Sequence, residues 1–159
     1  MIQTATLDQA EDVARLVSLA YRVEDFFKHG DRTNPQEVRE MMARGAFLTI
    51  EDPPGTLAAC VYVQINDDGH GYFGMLSVDP ARQGQGLGAR LIAAAEDYVR
   101  AAGCAHMDLY VISLRTELPP FYRRFGYVEQ GTLPFDEPTK LPCHIIVMTK
   151  PLTAAAAGA

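Results

Sequence analysis

The stretch Asp79-Pro80-Ala81-Arg82-Gln83-Gly84-Gln85-Gly86-Leu87-Gly88-Ala89 separates an apolar, strand-like run from a strongly periodic helix. The run covers residues 72–78, and apolar residues recur at helical spacing through residues 87–102. A glycine-rich turn between a strand and a helix N-terminus presents backbone N–H groups that no Cβ atom shields, and the helix dipole favours negative charge there. The stretch therefore predicts a binding site for a phosphate-bearing ligand.

The same glycines fit a second pattern, that of dinucleotide-binding folds. Gly84, Gly86 and Ala89 satisfy G-x-G-x-x-G/A. Asp108 lies about 20 residues further on, where such folds place a ribose-binding carboxylate. That pattern opens a series of parallel β-α units, whereas here it follows the hairpin signal Asn66-Asp67-Asp68-Gly69. No Gly-Lys-Ser/Thr follows the turn either, so the surrounding sequence argues against both a dinucleotide and a nucleoside triphosphate.

The composition is that of one globular domain with an acidic balance of charge. The 159 residues carry 14 Lys and Arg against 20 Asp and Glu, which is unlike a nucleic-acid-binding protein. No apolar run reaches the ~20 residues of a membrane span, and the N-terminus lacks the layout of a signal peptide. The three cysteines and four histidines have no zinc-ligand spacing. We therefore expect a cytoplasmic protein that binds no metal, nucleic acid or membrane.

The remaining segments alternate between strand and helix patterns. Strands are expected at residues 2–5, 47–51, 56–65, 72–78, 106–112, 127–133 and 143–149. Helices are expected after Thr6 or Asp8, after Asn34, at residues 87–102 and at residues 121–125. This order, β-α-α-β-β-β-α-β-α-β-β, predicts a single α/β domain of the α+β type, with helices on both faces of a mixed, mostly antiparallel sheet of about seven strands. The domain is expected to cover residues 1–152, with a disordered tail at residues 153–159.

Two motifs lie at defined places in this order. The first, Gln83-x-x-Gly86-x-Gly88, follows the expected fourth strand. The second, Phe121-Tyr122-Arg123-Arg124-Phe125-Gly126-Tyr127, follows the fifth. They resemble the acetyl-CoA signature and the aromatic-Tyr-x-x-x-Gly-aromatic hallmark of the GNAT superfamily of N-acetyltransferases. The resemblance covers nearly the whole chain, and it implies the fold of that family.

Further segments resemble a bacterial branch of the superfamily whose substrates are mostly unassigned. They include Ala20-Tyr21-Arg22-Val23-Glu24 and Val147-Met148-Thr149-Lys150-Pro151-Leu152. One site departs from the family pattern. Many members carry Asn-x-x-Ala ahead of the tyrosine, with the asparagine on the pantetheine arm, whereas this chain has Arg115 and Leu118 there. The contacts to pantetheine on that side are therefore expected to differ.

The resemblance implies how acetyl-CoA, the expected co-substrate, is held. The end of the fourth strand, at Leu76, Ser77 and Val78, is expected to pair with the pantetheine arm through its backbone. One backbone N–H near Leu76 is expected to polarise the thioester carbonyl. The loop that is expected to hold the pyrophosphate through its amides consists of Gln83, Gly84, Gln85, Gly86, Leu87, Gly88 and Ala89.

The resemblance also implies catalytic roles. Tyr122 matches the usual general acid of the family, and the alternative for its ring is packing among neighbouring aromatic residues. Glu24 is the first candidate for the general base, because the loop after the first helix borders the acceptor site in the resembling proteins. Asp25 and His144 are further candidates for the base. Candidates for holding a substrate carboxylate are Arg22, Arg32 and Arg115.

The expected function is transfer of an acetyl group from acetyl-CoA to a primary amine, directly within a ternary complex. Direct transfer is favoured because no cysteine lies at a motif position that would mark an acyl-enzyme nucleophile. The acceptor is a small-molecule amine or a protein amine, and the acidic balance of charge suits a cationic one. A homodimer is an open expectation, since dimers are the commonest assemblies. The alternative is a non-catalytic, GNAT-like module that binds acyl-CoA to sense or regulate.

Overall fold

The computed structural model describes residues 1–152, so the expected disordered tail at 153–159 lies outside the described residues. The strands are β1 (Ile2–Thr4), β2 (Ala46–Glu51), β3 (Leu57–Ile65), β4 (His70–Val78), β5 (His106–Ile112), β6 (Val128–Pro134) and β7 (His144–Pro151). The α-helices are α1 (Ala10–Ala20), α2 (Pro35–Met42), α3 (Leu87–Ala101) and α4 (Leu118–Arg123). This is the order of elements that the sequence predicts.

The seven strands form one sheet in the order β1-β2-β3-β4-β5-β7-β6. Neighbouring strands are antiparallel except for β4 and β5, which are parallel and are joined by the α3 crossover. The hairpin expected at residues 66–69 connects β3 to β4. The prediction of a mixed, mostly antiparallel sheet is confirmed.

Helices cover both faces of the sheet, as predicted. Along β3, the side chains of Ala59, Val61 and Val63 join the core cluster under α3. The alternate residues Cys60 and Tyr62 join the cluster under α1 and α2. Period-two alternation in a strand buried on both faces produces this division, so β3 lies at the centre of the domain.

Two helix starts follow from local chemistry. The Asn34 side chain caps α2 by accepting from the Glu37 backbone N–H at 2.9 Å, and Pro35 occupies the first turn. Helix α4 begins at Leu118 and has Pro119 and Pro120 in its first turn, the place that the sequence predicts for them because a first turn needs no N–H donors.

In residues 1–152, none of the helices is both long enough and apolar enough to cross a bilayer.

Candidate active site

The two parallel strands separate partway along their length. Pairing between β4 and β5 runs only from His70 opposite His106 to Tyr72 opposite Asp108. Beyond this point β4 stays paired with β3, and β5 stays paired with β7. A cleft of about 140 Å³ lies between the diverging strands. Because parallel strands run in the same direction, the cleft is at the carboxyl ends of both, beside the start of α3.

A β-bulge in β4 lies beside this cleft. Cys60 pairs with Ser77 and Tyr62 pairs with Gly74, so two residues of β4 oppose one residue of β3. Met75 has a φ of 52°, a left-handed conformation that costs a residue with a Cβ about 1–2 kcal/mol. Strain of this kind often marks functional sites.

The bulge changes which side chains at the end of β4 lie on each face of the sheet. Phe73, Leu76 and Val78 all pack against the core cluster under α3, although strict alternation would put Phe73 opposite the other two. Ser77 is buried, and its hydroxyl donates to the Met75 carbonyl at 3.0 Å. The side chain of Ser77 is therefore engaged within β4, and only its backbone is left for the predicted contact with a ligand.

The glycine-rich loop is open to solvent above the start of α3. Gly84 and Gly86 have φ values of 84° and 76°, and a Cβ built on either would meet no atom within 4 Å. Backbone conformation rather than packing therefore requires glycine at these two positions. The first helical bond of α3 is donated by the Arg90 N–H to the Gly86 carbonyl at 3.1 Å. The N–H groups of the first turn are consequently available to bind an anion.

Gly88 brings this loop against the end of β4. A Cβ at Gly88 would lie 4.0 Å from the side chains of Leu76 and Val78. The structure thus joins the loop and the strand end that the sequence assigns to acetyl-CoA. The arrangement fits the ligand, because an open set of N–H groups adjoins an edge of β4 that, within residues 1–152, has no partner strand beyond Tyr72.

Tyr122, in α4, reaches the cleft from the side of β5. It is 8% exposed, and its ring lies edge-on to Phe73, Phe121 and Tyr127. In residues 1–152, every fully buried polar side-chain atom has a hydrogen-bond partner. The Tyr122 hydroxyl has none there, so it is not fully buried, and Tyr122 is among the residues that line the cleft. Burial raises the pKa of Tyr122 above its ordinary value.

The ring of Tyr122 therefore packs among aromatic residues, which is one of the two interpretations that the sequence left open. The other, the role of general acid, stays a prediction. Tyr127 differs, because its hydroxyl donates to Glu96 Oε2 at 2.7 Å and its ring is fully buried.

Glu24 ends a short 3-10 turn, Tyr21–Glu24, that extends α1. It is only 4% exposed, and its Oε2 accepts from Arg115 Nη1 at 2.8 Å. Arg115 Nε also donates to Glu117 at 2.9 Å. Arg115, one of the residues expected to hold a substrate carboxylate, is thus engaged with carboxylates of the protein itself. This ion pair joins residues 91 positions apart, and no local pattern in the sequence reveals it.

Other predicted residues lie further from the cleft. Asp25 and Arg22 line a second, larger cavity next to it. His144 is exposed at the start of β7, where its backbone N–H donates to Ser113 Oγ at 3.0 Å. His144 is not among the residues that line either cavity.

Sequence reasoning missed several side chains that line the cleft, and three of them carry polar groups that the site could use. They are Tyr21, Tyr72 and Lys28. Burial raises the pKa of Tyr72 to about 12, and burial also raises that of Tyr21. A signal for Tyr72 exists in the sequence, because it begins the apolar run that ends at the glycine-rich stretch. The segment that supplies Lys28 has no periodic pattern.

The second cavity has a volume of about 370 Å³. It is formed by the end of α1, the segment after it up to Arg32, and Lys140 from the loop between β6 and β7. In residues 1–152, no group of three His, Cys, Asp or Glu side chains is placed to hold a metal ion.

The profile of a protein family described as the acetyltransferase (GNAT) family matches residues 10–127. This span contains the loop, the split strands and Tyr122. The chain belongs to this family. The family prediction made from the two motifs is confirmed.

The curated relatives of the chain are also acetyltransferases. A mycothiol acetyltransferase of Saccharopolyspora erythraea is 36% identical over 86 residues, which are 54% of this chain and 28% of the relative. A mycothiol acetyltransferase of Beutenbergia cavernae is 33% identical over 81 residues, 51% of this chain and 27% of the relative. The chain therefore matches little more than a quarter of the length of these curated relatives.

The fold resembles that of solved acetyltransferases. The ribosomal-protein-S18-alanine N-acetyltransferase of Escherichia coli superposes with a TM-score of 0.77 at 19% sequence identity, covering 100% of this chain and 97% of that one. A nourseothricin acetyltransferase superposes with a TM-score of 0.76 at 18% identity, covering 96% and 98%. The predicted α/β fold of the family is confirmed.

Proposed function

We propose that the chain transfers the acetyl group of acetyl-CoA to a primary amine, directly and within a ternary complex. One observation carries this proposal: Leu76, at the end of β4, lines the same cleft as Tyr122, and the open glycine-rich loop meets that strand end at Gly88. Direct transfer needs the donor and the acceptor side by side, and holding two reactants in position can lower a barrier by about 7–11 kcal/mol.

The donor is proposed to bind along the loop and β4. Backbone amides of residues 83–89 hold the pyrophosphate, and the backbone of Leu76, Ser77 and Val78 pairs with the pantetheine arm. The bulge at Met75 turns backbone groups of β4 away from β3. The Leu76 N–H is our choice for the donor that stabilises negative charge on the thioester oxygen as the amine attacks.

Tyr122 is proposed as the general acid. The amine nitrogen forms the new C–N bond with its lone pair, the C–S bond breaks, and the Tyr122 hydroxyl gives its proton to the departing sulfur. The acylated nitrogen then loses its extra proton, which returns the Tyr122 phenolate to the neutral hydroxyl. Burial raises the pKa of Tyr122, so its hydroxyl is protonated at neutral pH and has a proton to give. Its lack of a partner in residues 1–152 leaves it free to make that contact.

Glu24 is proposed as the base that removes a proton from the incoming ammonium. Only its Oε2 is bonded to Arg115, and Oε1 makes no hydrogen bond with the residues the structure describes. Glu24 lines both cavities, so the free oxygen has access to the acceptor. The Arg115 pair holds the carboxylate in position.

A second candidate function is an acyl-CoA-binding module without catalysis. The observation in its favour is Arg115, which stands where many family members have an asparagine on the pantetheine arm. Here Arg115 is committed to Glu24 and Glu117. A module of this kind would bind the donor without turning it over.

Acetyl-CoA is expected to stabilise the protein against heat under either candidate function. At a concentration of 100 times its Kd, a ligand stabilises the folded state by about 2.7 kcal/mol. For a domain of this size that corresponds to a rise in Tm of roughly 5–10 °C. The measurement is a thermal melt with acetyl-CoA, with NAD at the same concentration as the control. Stabilisation by NAD alone would contradict the proposal.

Release of CoA thiol across a panel of amines then separates the two candidates. Turnover above a control without acceptor is expected for an acetyltransferase. Stabilisation by acetyl-CoA together with no turnover of any amine would favour the non-catalytic module.

Gly86→Ala is expected to weaken binding of acetyl-CoA about tenfold to hundredfold, the effect of losing a hydrogen bond to a charged group. The added Cβ would occupy the open space over the loop, and the residue would resist the left-handed φ of 76°. Gly103→Ala is the matched control. Gly103 follows the other end of α3, has a φ of 89° and also has open space around it. Both variants should lose similar stability, but only Gly86→Ala should change the Kd measured by calorimetry.

A further inference from the structure

The larger cavity adjoins the cleft. Four side chains, those of Tyr21, Glu24, Lys28 and Arg32, line both. The larger cavity is therefore placed to take the remaining atoms of an acceptor whose amine lies in the cleft. That cavity, about 370 Å³, lies in the lower part of the 300–1,000 Å³ range of small-molecule sites.

The walls of this cavity are positively charged, in contrast to the chain as a whole. Its cationic side chains are Arg22, Lys28, Arg32 and Lys140. None of these forms a salt bridge with a carboxylate in the part of the chain that the structure describes. Of the three carboxylates in the lining, Glu24 is neutralised by Arg115 from outside it, which leaves Asp25 and Asp31. Four unpaired cations thus face two unpaired carboxylates in a protein of net charge −6.

Three of these cations contact aromatic rings or a backbone carbonyl, which hold the side chain in place without neutralising its charge. The guanidinium of Arg32 lies 5.3 Å from the centre of the Tyr21 ring, and Lys28 Nζ lies 5.2 Å from that of Phe135. Lys140 Nζ donates to the backbone carbonyl of Asp25 at 2.8 Å. Aromatic faces and carbonyl groups orient a cation but leave its charge available to a ligand.

We propose that the acceptor is a small molecule that carries an anionic group, a carboxylate or a phosphate, in addition to its amine. Arg32 and Lys28 bind that group, since they lie where the larger cavity meets the cleft. A planar guanidinium binds either anion through two parallel hydrogen bonds. This rests on the proposed function, and it reverses the expectation of a cationic acceptor, because the charge of the cavity is opposite to that of the whole chain.

The test compares pairs of amines that differ only in the anionic group. Glycine, β-alanine and γ-aminobutyrate are each compared with their carboxamides, and phosphoethanolamine is compared with ethanolamine. The chain length varies the distance from the amine to the anion, and the last pair distinguishes phosphate from carboxylate. With saturating acetyl-CoA and release of CoA thiol as the readout, the anionic member of at least one pair is expected to have a kcat/KM about tenfold to hundredfold higher.

Each outcome has a separate meaning. Equal or better turnover of the neutral members would overturn the inference and leave the proposed function intact. No turnover of any amine, with acetyl-CoA still bound, would overturn the proposed function itself and the inference with it.

Substitution of Arg32 and Lys28 tests whether these two cations cause the preference for anionic amines. Arg32→Gln and Lys28→Gln are expected to raise KM about tenfold for the preferred anionic amine while changing KM little for its neutral partner. Arg39→Gln is the matched control, because Arg39 is exposed on α2 and lines neither cavity. Equal effects of Arg32→Gln on the anionic and neutral members would indicate a structural role and overturn the assignment.

Discussion

Tyr122→Phe is expected to lower kcat about 10²- to 10⁴-fold, the range that a positioned general acid contributes. The change removes one oxygen that has no hydrogen-bond partner in residues 1–152, and it keeps the ring that packs on Phe73 and Phe121. The free energy of unfolding and the Kd for acetyl-CoA should therefore stay close to those of the wild type. Steady-state release of CoA thiol, a urea titration and calorimetry measure the three quantities.

Tyr127→Phe is the matched control for this prediction. It removes a hydroxyl from the same aromatic cluster, but that hydroxyl donates to the buried carboxylate of Glu96 at 2.7 Å. Loss of this bond should destabilise the protein by about 1.5–3 kcal/mol and leave kcat nearly unchanged. A Tyr122→Phe enzyme with full turnover at every pH tested would show that Tyr122 is not the acid. Tyr72→Phe would then be the next variant, since Tyr72 also lines the cleft.

The sequence predicts that the segments proposed to bind the donor lie together, because they are adjacent in the chain. The strand end at Leu76, the loop at residues 82–86 and the start of α3 follow one another, and glycine is required there by backbone conformation. The bulge at Met75 was not predictable in the same way. Nothing in the run at residues 72–78 indicates which residue takes the left-handed conformation, so strict alternation puts Phe73 and Leu76 on opposite faces.

The residues around the proposed acceptor cavity could not be predicted from the sequence, because tertiary packing brings them together from distant segments. The sequence places Glu24 in the loop after the first helix, and its burial against Arg115 depends on how the turn that follows β5 lies against the end of α1. Lys140 reaches Asp25 across 115 positions. A net charge of −6 indicated a cationic acceptor, but a pocket depends on which few charges lie within several ångströms of it, and here these are mostly positive.

Arg115→Met is expected to lower the free energy of unfolding by about 3 kcal/mol or more at pH 7. Removing one partner of a buried ion pair leaves the other charge without compensation, which typically costs 3–5 kcal/mol. Glu24 is 4% exposed, so water can replace little of what Arg115 provides. The lower end of that range applies because the Arg115 side chain is 15% exposed. Urea denaturation measures the effect, and Arg39→Met, at an exposed position on α2, is the control.

The double variant Glu24→Gln/Arg115→Met distinguishes a buried, uncompensated charge from simple loss of packing. Without the carboxylate there is no charge left to compensate, so the double variant should be more stable than Arg115→Met alone, with a coupling energy within the 0.5–3 kcal/mol seen for residues in contact. Its turnover should still be low, because the proposed base is gone. Arg115→Met should retain some turnover, since Glu24 keeps its carboxylate. If the double variant were no more stable than Arg115→Met, the 2.8 Å ion pair would not be what holds the end of α1 beside the cleft.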